Sequence, residues 1–236
     1  MTQHADGQVS LNGTEYQRLA DDIKAAILTG ALAPGDRLVE ADLADQYEVS
    51  RGTVREAIRL LASQNLVETV RGRSGGTFVA RVVPETISEY LRTSVGVLLT
   101  HDGIALSDLV EVRQILEPHA AALAADRHRP GPLEELRGLQ VAASAPDRDA
   151  MNWEWHKTVL RLSGNPLLPA LATPVYDLLN SRFDRQKGRR DHWRRIEREH
   201  REITDLIEAG DARGAEAAMR NHLQAVHLAY LDLATS

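Results

Sequence analysis

Three histidines and one asparagine are placed where they could bind a metal ion. His156, His200 and His222 fall in three different predicted helices, and apolar residues surround each of them. Asn152 precedes His156 by one helical turn, so the two side chains can share a helix face. Three neutral imidazoles and an amide oxygen suit a divalent transition metal with open coordination positions, such as Zn, Ni, Mn or Fe. The alternative is that each histidine is simply packed in an apolar core.

The chain contains no cysteine. This excludes disulfide scaffolds, cysteine-ligated zinc fingers, iron–sulfur clusters and thiol catalysis. Without cysteine, Asn152, His156, His200 and His222 remain candidate metal ligands, beside the alternative that the histidines are packed in the core.

Arginines are concentrated in a short segment of the chain. Residues 50–83 contain six arginines and two glutamates, whereas the whole chain of 236 residues has a net charge of −6. The net acidity alone argues against a nucleic-acid binder, but the local surplus of positive charge argues for one. The distribution of charge therefore predicts a basic surface on an acidic protein.

The first of these arginines begins a predicted helix. Arg51 follows Ser50, which occupies the N-cap position, and Arg55 and Arg59 lie off the apolar stripe of the helix. A helix N-terminus favours phosphate, and arginine presents fork-shaped donors to phosphate or guanine. Ser50 and Thr53 can also donate hydrogen bonds to phosphate oxygens. Alternatively, Arg55 or Arg59 pairs with acidic residues on its own helix or on the preceding one.

Short amphipathic helices and a hairpin must position these side chains. The spacing of apolar residues predicts helices over 16–29, 40–47 and 51–63. Strand-favouring residues at 66–70 and 77–79 flank a glycine-rich turn with Arg71 and Arg73 at its tip. Two helices joined by a tight turn and followed by such a hairpin describe a winged helix-turn-helix. The alternative for Arg71 and Arg73 is that they are solvated turn residues.

The remainder of the chain is predicted to form helices separated by glycine and proline breakers. The predicted helices cover 85–99, 106–127, 132–144, 148–163, 166–186, 192–209 and 211–233. We therefore expect a mainly α protein, in which an N-terminal winged helix-turn-helix with a small β-hairpin wing precedes an all-α antiparallel helical bundle. The expected domain bounds are 1–14 for a flexible tail, 15–80 for the winged helix, 81–85 for a linker and 86–236 for the bundle.

Several short motifs occur in order between residues 15 and 80. They include Gly30-Ala31-Leu32-Ala33-Pro34-Gly35-Asp36-Arg37-Leu38, Val49-Ser50-Arg51, Val54-Arg55-Glu56-Ala57-Ile58 and Gly75-Gly76-Thr77-Phe78-Val79. In this order they resemble the winged helix of GntR-type transcription regulators. The resemblance implies that Arg51, Arg55 and the glycines at the wing tip contact operator DNA. The full set of expected DNA contacts is Arg37, Ser50, Arg51, Thr53, Arg55, Arg59, Arg71, Arg73, Gly75 and Gly76. A departure from the family is Ala41, where an arginine that touches DNA is common.

Motifs in the helical region carry a second resemblance. They include Leu109-Val110-Glu111-Val112-Arg113, Trp155-His156, Glu199-His200-Arg201-Glu202-Ile203 and Asn221-His222-Leu223, and they resemble the FCD effector domain of FadR-like GntR regulators. Metal-binding members use one aspartate and three histidines at these places. The resemblance therefore implies a metal site of His156, His200 and His222, with Asn152 at the aspartate position. The resemblance implies that Arg113 faces the same cavity and binds a carboxylate through two parallel hydrogen bonds. The alternative is an ion pair between Arg113 and Glu117, one turn later.

These two regions together predict a ligand-responsive DNA-binding transcription regulator that acts as a repressor. We expect a homodimer on a palindromic double-stranded operator. A small carboxylate bound by Arg113, Asn152, His156, His200 and His222 would shift the dimer between DNA-competent and incompetent arrangements.

A helical metalloenzyme is the alternative function, in which the three-histidine site activates water. This alternative lacks an evident general base beside the site, and Glu199 and Glu202 are the candidates for that role.

No apolar segment before Arg18 resembles a secretory signal, and no uncharged apolar run reaches the ~18 residues of a membrane span. The expected location is therefore the cytoplasm, with no membrane partner.

Overall fold

The computed structural model describes residues 13–72, 75–101, 103–127, 130–139, 147–182 and 190–234. The chain divides into two compact units, Met1–Val83 and Pro84–Ser236, and each unit has its own apolar core. The helices and the small antiparallel sheet confirm the predicted fold class. Within the described ranges, each helix is too short or too polar to cross a membrane.

The described part of the first unit combines three helices with a three-stranded antiparallel sheet. Its elements are α1 (Glu15–Leu28), β1 (Arg37–Leu38), α2 (Glu40–Gln46), α3 (Arg51–Ser63), β2 (Val67–Val70) and β3 (Gly76–Val79). Apolar residues recur every three or four positions on α3, where Val54, Ala57 and Leu61 are completely buried. They share one core with Leu19 and Ile23 of α1. The polar face of α3 is consequently left for solvent.

The sheet is larger than the sequence predicts. The expected hairpin is present as β2 and β3, and β1 pairs with the other edge of β3. In that pairing Arg37 lies opposite Phe78, and Leu38 lies opposite Thr77. A strand of two residues is too short to show alternation of apolar and polar positions, so periodicity does not reveal it. The pairing fixes Arg37 beside the wing.

The described residues of the second unit form helices and their connections. The helices are α4 (Pro84–Thr100), α5 (Leu106–Arg127), α6 (Pro130–Gly138), α7 (Arg148–Leu162), α8 (Leu167–Arg182), α9 (Arg190–Glu208) and α10 (Ala212–Ala234). Helix α5 packs against α7, α8, α9 and α10. Ala120, Ala121 and Ala124 of α5 are completely buried, and their small side chains let the neighbouring helices approach closely. Helix α5 is thus positioned to hold side chains from several helices together.

The predicted helix bounds differ from the observed ones at a few places. The predicted helix 132–144 corresponds to α6, which ends at Gly138, and residues 140–144 lie outside the described residues. The predicted helix 166–186 corresponds to α8, and its last residues also lie outside them. Pro84, expected in the linker, begins α4, because a proline at the first helical position lacks only an N–H that would have no helical partner. The expected flexible tail falls almost entirely on residues 1–12, which are not among the described residues.

Candidate nucleic-acid interface and metal centre

The start of α3 presents hydrogen-bond donors to solvent. Ser50 is the N-cap, and its Oγ accepts a hydrogen bond from the Thr53 backbone N–H at 3.0 Å. The Thr53 hydroxyl donates to Glu15 Oε2 of α1 at 3.1 Å. Arg51 is exposed in the first turn of α3, where backbone N–H groups have no helical acceptors. This surface can therefore offer both a guanidinium and backbone donors to a phosphate.

Two arginines further along α3 form ion pairs within the protein. Arg55 Nε lies 2.8 Å from Glu40 Oε2 of α2, and Arg59 pairs with Glu56 one turn earlier on α3. These pairs are the alternatives that the sequence left open. The side chain of Arg55 is 60% exposed and that of Arg59 is 72% exposed, and exposed pairs contribute only about 0–1 kcal/mol. Neither pair therefore prevents the guanidinium from turning towards DNA.

Arg37 and two glycines determine the close packing of the wing. Arg37 Nη2 donates to the Gly75 carbonyl at 3.0 Å. A Cβ on Gly75 would collide with the backbone carbonyl oxygens of Val70 and Gly72. A Cβ on Gly76 would lie 2.9 Å from Arg37 Nε. The wing therefore needs glycine at position 75, where the obstacle is backbone, whereas a side chain at position 76 would displace the Arg37 side chain. Arg37 supports the wing from the adjacent strand.

The other wing residues expected to contact DNA are Arg71 and Arg73. Arg71 is exposed just after β2. Arg73 lies outside the described residues. The nine remaining residues of the expected set lie on α3, on its N-cap, and on the strands and turn of the wing. In winged helix-turn-helix proteins these elements approach one duplex together.

The second unit brings the three histidines together. His156 is on α7, His200 on α9 and His222 on α10, and each is at most 1% exposed. Their candidate ligand atoms lie within 4.8 Å of one another. Asn152 is half-buried on α7, one turn before His156. Because three different helices supply the rings, the cluster depends on the packing of the whole bundle.

A buried carboxylate holds the His156 ring. Glu117 on α5 accepts a hydrogen bond from His156 Nδ1 at 2.7 Å and another from Arg113 Nε at 2.6 Å. Burial alone would raise the pKa of Glu117, but the charges of Arg113 and His156 outweigh it and bring this pKa to about 2. Burial lowers the pKa of His156 to about 4, against the opposing effect of Glu117. At neutral pH the pair is therefore a carboxylate and a neutral imidazole.

Arg113 is engaged inside the bundle. Its ion pair with Glu117 is the alternative that the sequence left open, and the two side chains are 3% and 1% exposed. The Arg113 guanidinium also lies over the ring of Tyr176, 4.4 Å from the ring centroid, where a cation–π attraction operates. Arg113 therefore already holds one buried carboxylate, and an effector carboxylate would have to share the guanidinium with Glu117 or displace it.

A second carboxylate holds the His222 ring. Glu199 on α9 accepts a hydrogen bond from His222 Nδ1 at 2.8 Å, and Arg195 Nε lies 3.5 Å from the other Glu199 oxygen. The Glu199 side chain is 20% exposed and that of Arg195 is 32% exposed. This pair is consequently closer to solvent than the pair of Arg113 with Glu117.

Stacking positions the His200 ring. Trp155 lies flat against it, with ring centroids 3.7 Å apart and an interplanar angle of 12°. Trp155 Nε1 donates to Thr204 Oγ1 at 3.2 Å, and Thr204 donates to the His200 carbonyl at 2.8 Å. Burial, then His222 and His156, lower the pKa of His200 well below its ordinary value. The ring is therefore neutral and can act as a metal ligand.

The donor set fits a divalent transition metal. Two nitrogens bound at about 2.0–2.1 Å to one tetrahedral ion lie about 3.3 Å apart, and His200 Nε2 lies 3.3 Å from His222 Nε2. The carboxylates at the Nδ1 atoms of His156 and His222 leave both Nε2 atoms for the ion. Asn152 would add an amide oxygen, so that the ligands themselves carry no charge.

Glu117 and Glu199 are members of this cluster whose roles sequence reasoning did not identify. The sequence indicated Glu117 only as an ion-pair partner of Arg113, and Glu199 only as a candidate general base. Each glutamate stands four residues after an arginine, which indicates a pair on one helix. That spacing carries no information about contact with a histidine on another helix.

Comparison with known families assigns both parts of the chain. Residues 15–79 match the family described as "Bacterial regulatory proteins, gntR family". Residues 108–225 match the FCD domain. The first match runs from α1 to β3, and the second contains all three clustered histidines.

Two relatives matched over most of their length are transcription regulators. The HTH-type transcriptional regulator LutR of Bacillus subtilis is 32% identical, covering 84% of this chain and 92% of its own. The galactonate operon transcriptional repressor of Escherichia coli is 31% identical, covering 89% of this chain and 93% of its own. Among solved structures, Streptococcus agalactiae GntR has a TM-score of 0.53 and 27% identity, covering 90% of this chain and 98% of its own. The relatives are regulators and not enzymes, which argues against a metalloenzyme.

Proposed function

From the premise that the chain belongs to the GntR family of bacterial regulatory proteins and carries an FCD domain, we propose that it is a repressor controlled by a small organic acid. DNA binding and transcription regulation follow from the family. The observation that carries the effector part of the proposal is the buried cluster of His156, His200 and His222. A ligand bound there lies in the FCD domain and not in the DNA-binding unit. It would therefore act on DNA binding through a conformational change of the protein.

A metal ion is the proposed anchor for the effector. His156, His200 and His222 would hold the ion, and Asn152 would add its amide oxygen. A divalent ion such as Zn, Ni, Mn or Fe supplies a Lewis-acid centre with open positions for a carboxylate oxygen. Uncharged ligands leave the positive charge of the ion to be balanced by an anion, which favours an acidic effector. The galactonate operon repressor, named for a carboxylate, supports this class of ligand.

Arg113 is the second proposed contact of the effector. It lies on α5, and Glu117 connects it to His156 on α7. A carboxylate that replaces Glu117 at the guanidinium would break the buried Arg113–Glu117 pair of α5 and leave Glu117 bonded only to His156 on α7. Binding would then favour a different packing of α5 against α7, which is a means of coupling the ligand to the rest of the protein.

We propose that the operator is a palindrome bound by a homodimer. Each protomer would place α3 in a major groove and the wing against the flanking backbone. The exposure of Arg51, Arg55 and Arg71 on these elements supports this role. Two copies double the number of arginines that meet phosphate, so binding should weaken steeply as the salt concentration rises.

A thermal-shift titration tests the effector part of the proposal. Purified protein loaded with Zn²⁺ or Ni²⁺ is titrated with D-galactonate, L-lactate and other small carboxylates. At a concentration of 100 Kd, a ligand stabilises the folded state by about 2.7 kcal/mol. For a unit of this size we expect a rise in Tm of roughly 5–10 °C. If no carboxylate raises the Tm with either metal, the organic-acid effector is wrong.

The replacement His200→Ala tests the metal centre. We expect the variant to lose its bound metal, because the cluster retains only His156 and His222 as nitrogen ligands. Elemental analysis after purification in the presence of Zn²⁺ gives the metal content per chain. The control is His119→Ala, since His119 is an exposed residue of α5. Equal metal content in His200→Ala and in the parent protein would contradict the site.

A further inference from the structure

On each of two helices, α5 and α9, an arginine and a glutamate stand next to one histidine of the cluster. On α5, Arg113 and Glu117 are four residues apart, and Glu117 reaches His156 Nδ1 at 2.7 Å. On α9, Arg195 and Glu199 are also four residues apart, and Glu199 reaches His222 Nδ1 at 2.8 Å. We propose that Glu117 and Glu199 are positioning residues that keep the proton of each imidazole on Nδ1. The proposal rests on the metal-dependent function above and assigns that site its supporting residues.

The hydrogen bonds determine which nitrogen can bind metal. A carboxylate only accepts hydrogen bonds, so the Nδ1 atoms of His156 and His222 must donate. In the neutral form that can bind metal, an imidazole has a single N–H, so a ring with this proton on Nδ1 carries its lone pair on Nε2. With the ring held in place by the same bond, Nε2 is fixed in the orientation of a ligand.

His200 is arranged differently from the other two rings. Its Nε2 lies 3.3 Å from Nε2 of His222, and His222 has its proton on the opposite nitrogen. A hydrogen bond between these two atoms therefore requires His200 to carry its proton on Nε2. His200 Nδ1 is buried and lacks a hydrogen-bond partner within the part of the chain that the structure describes. His200 is consequently the ring whose proton must move before its Nε2 can bind a metal ion.

The two carboxylates differ in how easily they can be replaced. Glu117 is 1% exposed and is paired with a buried arginine. Glu199 is 20% exposed, and its partner Arg195 is 32% exposed. A substitution of Glu199 therefore destabilises the fold less than one of Glu117. Its effect on the orientation and protonation of the His222 ring can then be measured without a large loss of stability.

The test is Glu199→Gln, with Glu216→Gln as the matched control. Glu216 pairs with exposed Arg220 on α10, the helix that carries His222. A glutamine amide can donate to Nδ1 of His222 and thereby move the proton to Nε2. We expect a 10- to 100-fold weaker affinity for Co²⁺ in Glu199→Gln, measured from the visible absorption of the bound ion. Glu199→Asp should recover part of the affinity, because it restores a carboxylate.

Nitrogen-15 NMR of the histidine rings without metal gives the second measurement. We expect His222 to be protonated at Nδ1 in the parent protein and in Glu216→Gln, and to lose this preference in Glu199→Gln. Equal Co²⁺ affinity in the parent and Glu199→Gln would overturn the proposal, as would protonation of His222 at Nε2 in the parent. Failure of the parent itself to bind Co²⁺ would instead contradict the proposed metal-dependent function, and the ring protonation would still decide the role of Glu199.

Discussion

Replacement of Glu117 by glutamine is expected to destabilise the second unit by roughly 3–5 kcal/mol, the cost of breaking a buried ion pair by removing one partner. The Glu117 carboxylate accepts hydrogen bonds from both Arg113 and His156, and it is 1% exposed. Glutamine has nearly the same shape but no charge. The variant would therefore remove a counter-charge from the buried guanidinium of Arg113 without creating a cavity.

Tryptophan fluorescence during urea unfolding can measure this effect on the second unit alone. The three tryptophans of the chain are Trp153, Trp155 and Trp193, all within that unit and all at most 5% exposed. Their emission therefore reports the unfolding of the helical unit and not that of the winged helix. The free energy of unfolding follows from linear extrapolation to zero urea.

The matched control is Glu89→Gln, which removes an exposed partner of Arg92 on α4. Solvent screens a pair this exposed, so only a small change is expected there. The double variant Arg113→Met with Glu117→Gln should recover much of the lost stability, because it removes the buried charge as well. Equal free energies of unfolding for Glu117→Gln and Glu89→Gln would show that the buried pair contributes no more than a surface pair.

The helices that hold these residues could be predicted because their apolar spacing is regular. On α3 the buried residues Val54, Ala57 and Leu61 follow the helical period, which also placed Arg55 on the opposite, exposed face. In the second unit, His156, His200 and His222 each sit among apolar residues. Their burial could be anticipated from this, and their convergence was expected from the resemblance to the FCD domain.

Contacts between helices could not be predicted from spacing. The distance of four residues from Arg113 to Glu117 indicates an ion pair on α5, but the second bond of Glu117, to His156 on α7, depends on how two helices pack. The same holds for Glu199 and His222. Strand β1 was missed for another reason, since Arg37 and Leu38 form a strand only through pairing with β3.

The replacement Arg55→Ala is expected to weaken operator binding by roughly 1–3 kcal/mol, or about 5- to 150-fold, if Arg55 reads a base. Arg55 lies on the exposed face of α3, and its side chain is 60% exposed. Its removal should leave the fold intact, since the buried face of α3 is unchanged. A suitable duplex can be selected from random-sequence DNA with the parent protein, and affinity can then be measured by fluorescence anisotropy.

The ion pair of Arg55 with Glu40 provides a second, opposite change. Glu40→Gln removes the carboxylate that competes with DNA for this guanidinium, and an exposed pair is worth only about 0–1 kcal/mol. We therefore expect Glu40→Gln to bind the same duplex up to about fivefold more tightly, and to gain nothing when Arg55→Ala is also present. This dependence would show that Glu40 acts through Arg55 and not through its general negative charge.

Salt dependence distinguishes a base contact from a phosphate contact. If Arg55 neutralises a phosphate, Arg55→Ala reduces the slope of log affinity against log salt concentration by about one for each protomer, and it weakens binding to all sequences equally. If Arg55 reads a base, the loss is confined to the selected sequence. The control is Arg220→Ala, an exposed arginine paired with Glu216 in the second unit. Should Arg55→Ala bind the duplex as tightly as Arg220→Ala does, Arg55 would be only a partner of Glu40, because an arginine in contact with DNA cannot be removed without a loss of affinity.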